Sequence, residues 1–436
     1  MGIQNFPLAL QPIIQQNFLE REFQEALHSR LAYRSIADRM SFPNGIGETI
    51  TKTRPGLKPS VTSPLAPSTN TNLDNGLTVT NEGVEQFTLS INQYAASTDL
   101  NMVTSRVGIV SQFLLNASIN GEQAGRSIDD IARNALFPAY FGGNTRVRVT
   151  LGAAGPTISV DDVRGFQNVF VNGVQVSVSG ANPLNVTVGS NIYSLTGVAV
   201  DGANVSTAPN GISGTLTFAT SVTVADGTAL NTVLAATASG ISRPNNRTNT
   251  AQLLSTDTIT MSTLLNAKAT LELNAVPTVD GFYNCYLDPM SLRGLFADPD
   301  FKQLFQGATS ENMDFRRGMV QPMLGLRFIR TTEAFVQPLG ALTVRRPIIC
   351  GQGALIEGDF EGMAHSDVAP ADAIITMVDD VAMVTREPID RLQQIIAQSW
   401  YWIGGFCTPS DTGTNSTTVA TATNASFKRA VMIEHV

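Results

Sequence analysis

The sequence predicts an α+β protein that carries an inserted all-β module, and three observations predict it. First, Val110 to Phe137 is the only long segment with sustained helical periodicity, because Phe113, Ala117, Gly121, Ala124, Ile128, Ile131 and Ala135 recur at steps of four and three. Second, short alternating runs follow one another from Asn144 to about Thr248, with only nine charged residues among them. Third, charged residues make up 15% of the 436, while Gly, Thr, Ser, Asn and Val are abundant. That is the profile of a β-rich protein with large covered surfaces.

Residues 1 to about 40 begin extended and apolar, punctuated by Pro7 and Pro12, and then turn helical up to Met40. Phe18, Phe23, Leu27, Leu31 and Ile36 form a stripe, with Glu22, Glu25, Arg30 and Arg34 on the wet side. Such an arm lies on another surface, of its own chain or a neighbour, rather than making a core. Between Phe42 and Ala96, the alternating runs Thr49 to Thr53 and Val84 to Ile91 flank a middle holding Pro55, Pro59, Pro64, Pro67 and Asn75-Gly76. This predicts an extended hairpin with a long irregular tip, and a loop of that length is usually functional. The long helix then runs roughly eight turns at about 3.6 residues each until Pro138 stops it. Gly121 and Gly125 each weaken it by about 1 kcal/mol relative to alanine, so close packing against another backbone is expected. Gly121, Ala124, Ile128 and Ile131 are the expected packing residues, while Asp129, Asp130 and Arg133 point elsewhere.

The module from 144 to 248 reads as a sandwich or barrel of about seven strands, turned at Asn172-Gly173, Asp201-Gly202, Asn210-Gly211 and Asp226-Gly227. It holds neither a Cys pair nor a Trp, so an immunoglobulin-like label rests on fold-level analogy. The host resumes near Ala251 with a helix from Thr260 to Leu273 and a strand from Gly281 to Leu287. Short helices at Met290 to Phe296 and Asp300 to Gln306 are capped by Asp288 and Asp298. A strand at Leu326 to Thr332, a Gly-rich turn and short helix at Gly351 to Glu357, and strands at Ala373 to Met377 and Val381 to Arg386 follow. Trp400 to Phe406 reads as an aromatic core plug, and Phe427 to Ile433 as a last strand.

Little in the chain carries chemistry. Cys285, Cys350 and Cys407 are odd in number and lack CxxC spacing, so they read as reduced thiols in a cytosol-folded protein. No signal peptide or membrane span is predicted. His28, His365 and His435 lie in unrelated segments, and no nucleophile elbow, phosphate loop or dinucleotide pattern occurs. The adjacent acids Asp129-Asp130, Asp161-Asp162 and Asp379-Asp380 diverge on any regular element, so they are poor acid/base pairs. No catalytic residue, cofactor or metal is therefore expected, and the chain does not read as an enzyme. The net charge is −8 with no dense basic run, so contact with DNA would be weak and non-specific. Arg316-Arg317 and Arg345-Arg346 sit in a net-negative region, where intersubunit salt bridges are their expected use. This balance favours a structural role.

The order of an apolar arm, a hairpin holding GETITKTRPG, a helix with the stripe from Gly121 to Ala135, LDPMSLRGLFADPDF and GMVQPMLGLRFIRTTEA resembles one family. It is that of the major capsid proteins of tailed bacteriophages (Caudoviricetes), with the fold named after phage Hong Kong 97. The resemblance covers roughly residues 1–143 and 251–407. It implies an N-terminal arm (1–45), an extended loop (46–96) that overlaps the next subunit, and a peripheral domain (97–143) with a spine helix. After the inserted all-β domain (144–248), the peripheral domain continues (249–317). An axial domain with the C-terminal strands (318–436) then meets its copies around five- and six-fold axes. The implied function is self-assembly as pentamers and hexamers into an icosahedral head shell around packaged double-stranded DNA. Scaffolding, portal and decoration proteins are the implied partners, and no membrane is involved. The implied location is the virion capsid, assembled in the bacterial host cytoplasm. Lys52, Arg54, Lys58, Arg316, Arg317, Arg345 and Arg346 become intersubunit contact candidates, and Gly121, Ala124, Ile128 and Ile131 pack the spine. The β-module is a departure from the minimal fold, as is the lack of a long charged scaffolding region before the arm. An encapsulin-like compartment shell is an alternative. Another is an adhesin or tail-fibre protein whose module binds glycans through Phe166, Phe170, Tyr193 or Phe218.

Overall fold

A computed structural model describes residues 21–28, 31–43, 47–55, 84–101, 112–171, 174–208, 210–238, 240–247, 250–308, 324–360, 373–386, 395–409 and 428–436. The chain forms two compact units. The described parts of Met1–Ile50, Leu89–Ala135 and Leu355–Cys407 make one, and those of Thr51–Thr88, Leu136–Ala354 and Thr408–Val436 make the other.

The first unit opens with helix α1 (21–28) and strand β1 (Ala37–Phe42). Strands β2 (Thr49–Pro55) and β3 (Val84–Ser90), most of whose residues belong to the second unit, pair as a two-stranded ribbon, the two flanks of the expected hairpin. Its tip lies outside the described residues. Strand β4 (Asn92–Asn101) and helix α2 (Gln112–Phe141) follow. Two expectations fail here. The N-terminal helix does not reach Met40, because Ala37–Phe42 is drawn into a parallel pairing with Leu355–Phe360. And α2 does not stop at Pro138: proline removes one N–H, but the ladder resumes with Gly142 N–H on the Pro138 carbonyl at 2.8 Å. Burial of Phe137, Tyr140 and Phe141, with the Tyr140 hydroxyl donating to the Ala354 carbonyl, holds that last turn.

Strands β5 (Asn144–Arg146), β6 (Gly155–Val160), β7 (Asn168–Val171), β8 (Val174–Ser177), β9 (Leu184–Val188), β10 (Asn191–Val200), β11 (Gly214–Val222) and β12 (Thr232–Ala235) come next. Six of them form a sheet in the order β5-β12-β9-β10-β11-β6, and β7 and β8 make a separate hairpin. The sheet closes on itself. Val147, just after β5, bridges Val160 at the end of β6, and Arg148 N–H donates to the Ser159 carbonyl at 2.8 Å. The module is thus a small barrel whose closure removes its edges. Val147, Val160, Val186, Val188, Leu195, Leu216 and Val233 fill it.

The second unit also holds β13 (Ile241–Ser242), α3 (Met261–Leu273), β14 (Tyr283–Leu287), α4 (Pro289–Ala297), α5 (Pro299–Ala308) and β15 (Leu326–Arg330). After these come β16 (Phe335–Leu339), β17 (Leu342–Arg346) and β18 (Ile348–Cys350). Thr260 and Asp288 cap α3 and α4 by accepting the N–H groups of Thr263 and Ser291. The chain then supplies β19 (Leu355–Phe360), β20 (Ala373–Val378), β21 (Val381–Arg386) and β22 (Ile395–Cys407) to the first unit. No short helix covers Gly351 to Glu357; a turn leads straight into β19. The sheet order is β1-β19-β22-β21-β20, with β4 against β22 for ten residues. The last strand, β23 (Ala430–Ile433), returns to the second unit in the order β13-β23-β18-β14-β15. The units divide at 354/355 and 407/408, because β19 and β22 hydrogen-bond to β1 and β4.

Candidate functional site

The buried stripe of α2 is built as an approach surface for backbone. A Cβ on Gly121 would lie 2.6 Å from the Phe23 carbonyl oxygen and 3.0 Å from Ala26 Cβ. Ala124 and Ile128 are fully buried with Phe23, Leu27, Trp400 and Trp402, and Ile131 packs at the edge of that cluster. The aromatic run is thus a core plug: Trp402 stacks between Tyr94 and Phe406 at 5.8 and 5.5 Å.

Asp129 is not on the wet side. It is buried, and its Oδ1 accepts the backbone N–H groups of Ala32 at 2.9 Å and Arg34 at 3.2 Å, while Oδ2 has no partner. Burial pushes its carboxyl up to about 6 against the bonds that favour the charge. Arg34 is buried as well. It grips Glu357 through Nη2 at 2.6 Å and Nε at 3.1 Å and reaches Asp380 at 3.3 Å, where Arg39 arrives at 2.8 Å. The segment before β1 is thereby fastened to α2 by backbone bonds and to the sheet by charge.

On the ribbon, Ile50, Lys52 and Arg54 are half-buried on one face of β2 and the alternate residues are exposed. Arg54 Nη1 lies 3.3 Å from the Gly353 carbonyl. Lys58, Arg316 and Arg317 fall outside the described residues. Arg345 pairs with Asp288 at 2.6 Å. Arg346 has no exposed surface for a neighbour: its Nε meets Glu434 at 2.8 Å, Nη2 bonds Gln337, and the guanidinium lies 4.5 Å over the Phe141 ring. Arg243 takes the other Glu434 oxygen at 2.7 Å. Burial opposes the Glu434 charge, but these two arginines outweigh it and bring its carboxyl down to about 2. Sequence reasoning missed Glu434, Arg243, Arg34 and Glu357. The one local signal was a charge inside the apolar run AVMIEHV.

One cluster imitates a catalytic triad. Ser291 Oγ lies 2.6 Å from His435 Nε2 and donates to Asp288. The order is wrong, because the carboxylate holds the serine rather than the imidazole, whose Nδ1 lies by the Val436 carbonyl at 3.2 Å. All three side chains are buried, so no substrate reaches them, and the group serves as the cap of α4. Among the described residues no three potential metal ligands gather.

No protein-family model and no curated protein matches the chain. Among solved structures it is similar to the capsid of Ralstonia phage GP4, at 11% identity over 94% of this chain and 90% of that one, with a TM-score of 0.47. It is also similar to the capsid of cyanophage P-SCSP1u, at 10% identity over 93% and 89%, with a TM-score of 0.44. The capsid asymmetric unit of cyanophage Pam1 stands at 11% identity over 90% and 86%, again with 0.44.

Proposed function

We propose that the chain is a structural, self-assembling major capsid protein that forms the head shell of a tailed phage around packaged double-stranded DNA. The observation that carries this is the β2–β3 ribbon, which bonds to no third strand among the described residues. A two-stranded ribbon is marginal alone in water; Phe87 and Leu89 bury one side of this one within its own chain, while Thr49, Thr51, Thr53 and Pro55 stay exposed, and a neighbouring copy is the surface that covers them. The element order of arm, ribbon, 30-residue helix and mixed α/β units fits the same reading. In it, α2 is the spine, residues 46–96 the extended loop, and the barrel within 144–248 an insertion that decorates the shell. Lys52 and Arg54 on the half-buried ribbon face, with Lys58, Arg316 and Arg317, make the intersubunit contacts. Pentamers and hexamers are the assembly units, the virion capsid is the location, and scaffolding, portal and decoration proteins join in the host cytoplasm.

An encapsulin-like shell would share this architecture and differ in its contents. The glycan-binding reading loses three of its four aromatic candidates, since Phe166, Tyr193 and Phe218 are buried in the barrel core, while the Phe170 side chain lies outside the described residues. Electron microscopy of the purified protein, expressed alone and with a neighbouring scaffolding gene, tests the proposal. Closed shells or isolated pentamers and hexamers are expected, and monomers or slender trimers under both conditions would overturn it. Deleting residues 55–80 is expected to leave a folded subunit that no longer assembles; shells of normal form would remove the role given to the ribbon.

A further inference from the structure

The segment SRPNNR, after the barrel, holds an unusual backbone feature. Asn245 and Asn246 both adopt left-handed backbone, at φ 52° and 54°. Two such residues in succession cost on the order of 1–3 kcal/mol each unless their surroundings enforce them, and asparagine tolerates the region best among non-glycines. The enforcing group is Asp257, which is fully buried. Its Oδ1 accepts from Asn245 Nδ2 at 2.6 Å, and its Oδ2 accepts from Leu254 N–H at 2.9 Å and from Arg247 Nε at 2.9 Å. Burial works against this carboxylate, but those three donors outweigh it and keep it below the usual range.

The consequence falls on Arg247. Asp257 holds its guanidinium by Nε, whereas the side chain keeps 29% of its surface exposed and lines a cavity of about 320 Å³. Asn246 lines the same cavity, and α3 contributes Asn266 and Thr270 to it. None of the lining residues is acidic. A planar fork fixed from behind, with two amides beside it, suits a multi-oxygen anion, because guanidinium N–H pairs match carboxylate and phosphate geometry.

We propose that this cavity is an oxyanion-binding site, taking a phosphoryl or carboxylate group on the Arg247 guanidinium with the Asn246 and Asn266 amides completing the shell. It stands whether or not the chain assembles into shells. Isothermal titration of the full-length protein with inorganic phosphate and, separately, with succinate tests it. Saturable binding of at least one is expected: phosphate alone would identify a phosphoryl ligand, and succinate alone a carboxylate. Arg247→Gln is expected to weaken binding tenfold or more. Because that variant also touches the Asp257 cluster, Asn266→Ala, on an exposed helix position, is the second probe. It is expected to weaken binding several-fold with an unchanged melting temperature. Absence of saturable binding by both anions, or binding indifferent to both variants, would overturn the proposal.

Discussion

Asp129 shows how one residue couples the arm to pH. Its native carboxyl holds a proton up to about 6, against an ordinary 3.8. Between those values the folded state binds more protons than the unfolded one, so the stability it contributes is full below about 3.8 and is lost as pH rises through 6. Asparagine keeps an acceptor for the Ala32 and Arg34 N–H groups without the charge. Asp129→Asn is therefore expected to flatten the stability profile between pH 4 and 6 and to match or exceed the parent at pH 7, by on the order of 2 kcal/mol. Denaturant midpoints at pH 4.5 and 7 check this; a variant less stable at both would mean that the charged form is the favoured one.

At the scale of elements, β23 ends on a buried charge. Glu434 follows it directly and sits fully buried between Arg243 and Arg346. Its carboxyl is depressed, so its contribution is present above the ordinary 4.5 and is lost as pH falls through about 2. Glu434→Gln leaves two buried guanidiniums around a neutral amide, and a loss of about 3–5 kcal/mol is expected in chemical denaturation. A change below 1 kcal/mol would show that the arginines are satisfied without it. Elements whose cause is local were legible in the sequence. The α2 stripe with its close contact at Gly121, the caps Asp288 and Asp298, and the ribbon flanks all follow from residue type and spacing. What escaped depends on distant partners. Nothing near Ala37 announces that it pairs with Leu355, and nothing near Arg34 announces Glu357. Pro138 reads as a stop because the aromatic packing that carries the helix past it is tertiary. The cavity by Arg247 was invisible for the same reason: Asp257 and α3 are brought to it by the fold.

At the scale of the whole molecule, the contiguity of the barrel contrasts with the first unit. Every strand of the barrel lies between Asn144 and Ala235, and its closure needs no residue from elsewhere. Residues 142–238 expressed alone are expected to fold, with dispersed amide resonances and a cooperative melt; a disordered spectrum would show that the barrel leans on its host. The first unit has no such autonomy. The partner of β1 lies roughly three hundred residues downstream, and so does that of β4. At about 5–20 residues per second on the ribosome, β1 waits on the order of 15–60 s for its mate while the barrel has already closed. Until then β1 and β4 emerge as unpaired strand edges, in a polysome crowded with identical chains. A trigger-factor-like holdase that shields nascent residues 37–101 would thus affect yield more than any chaperone acting on the released chain.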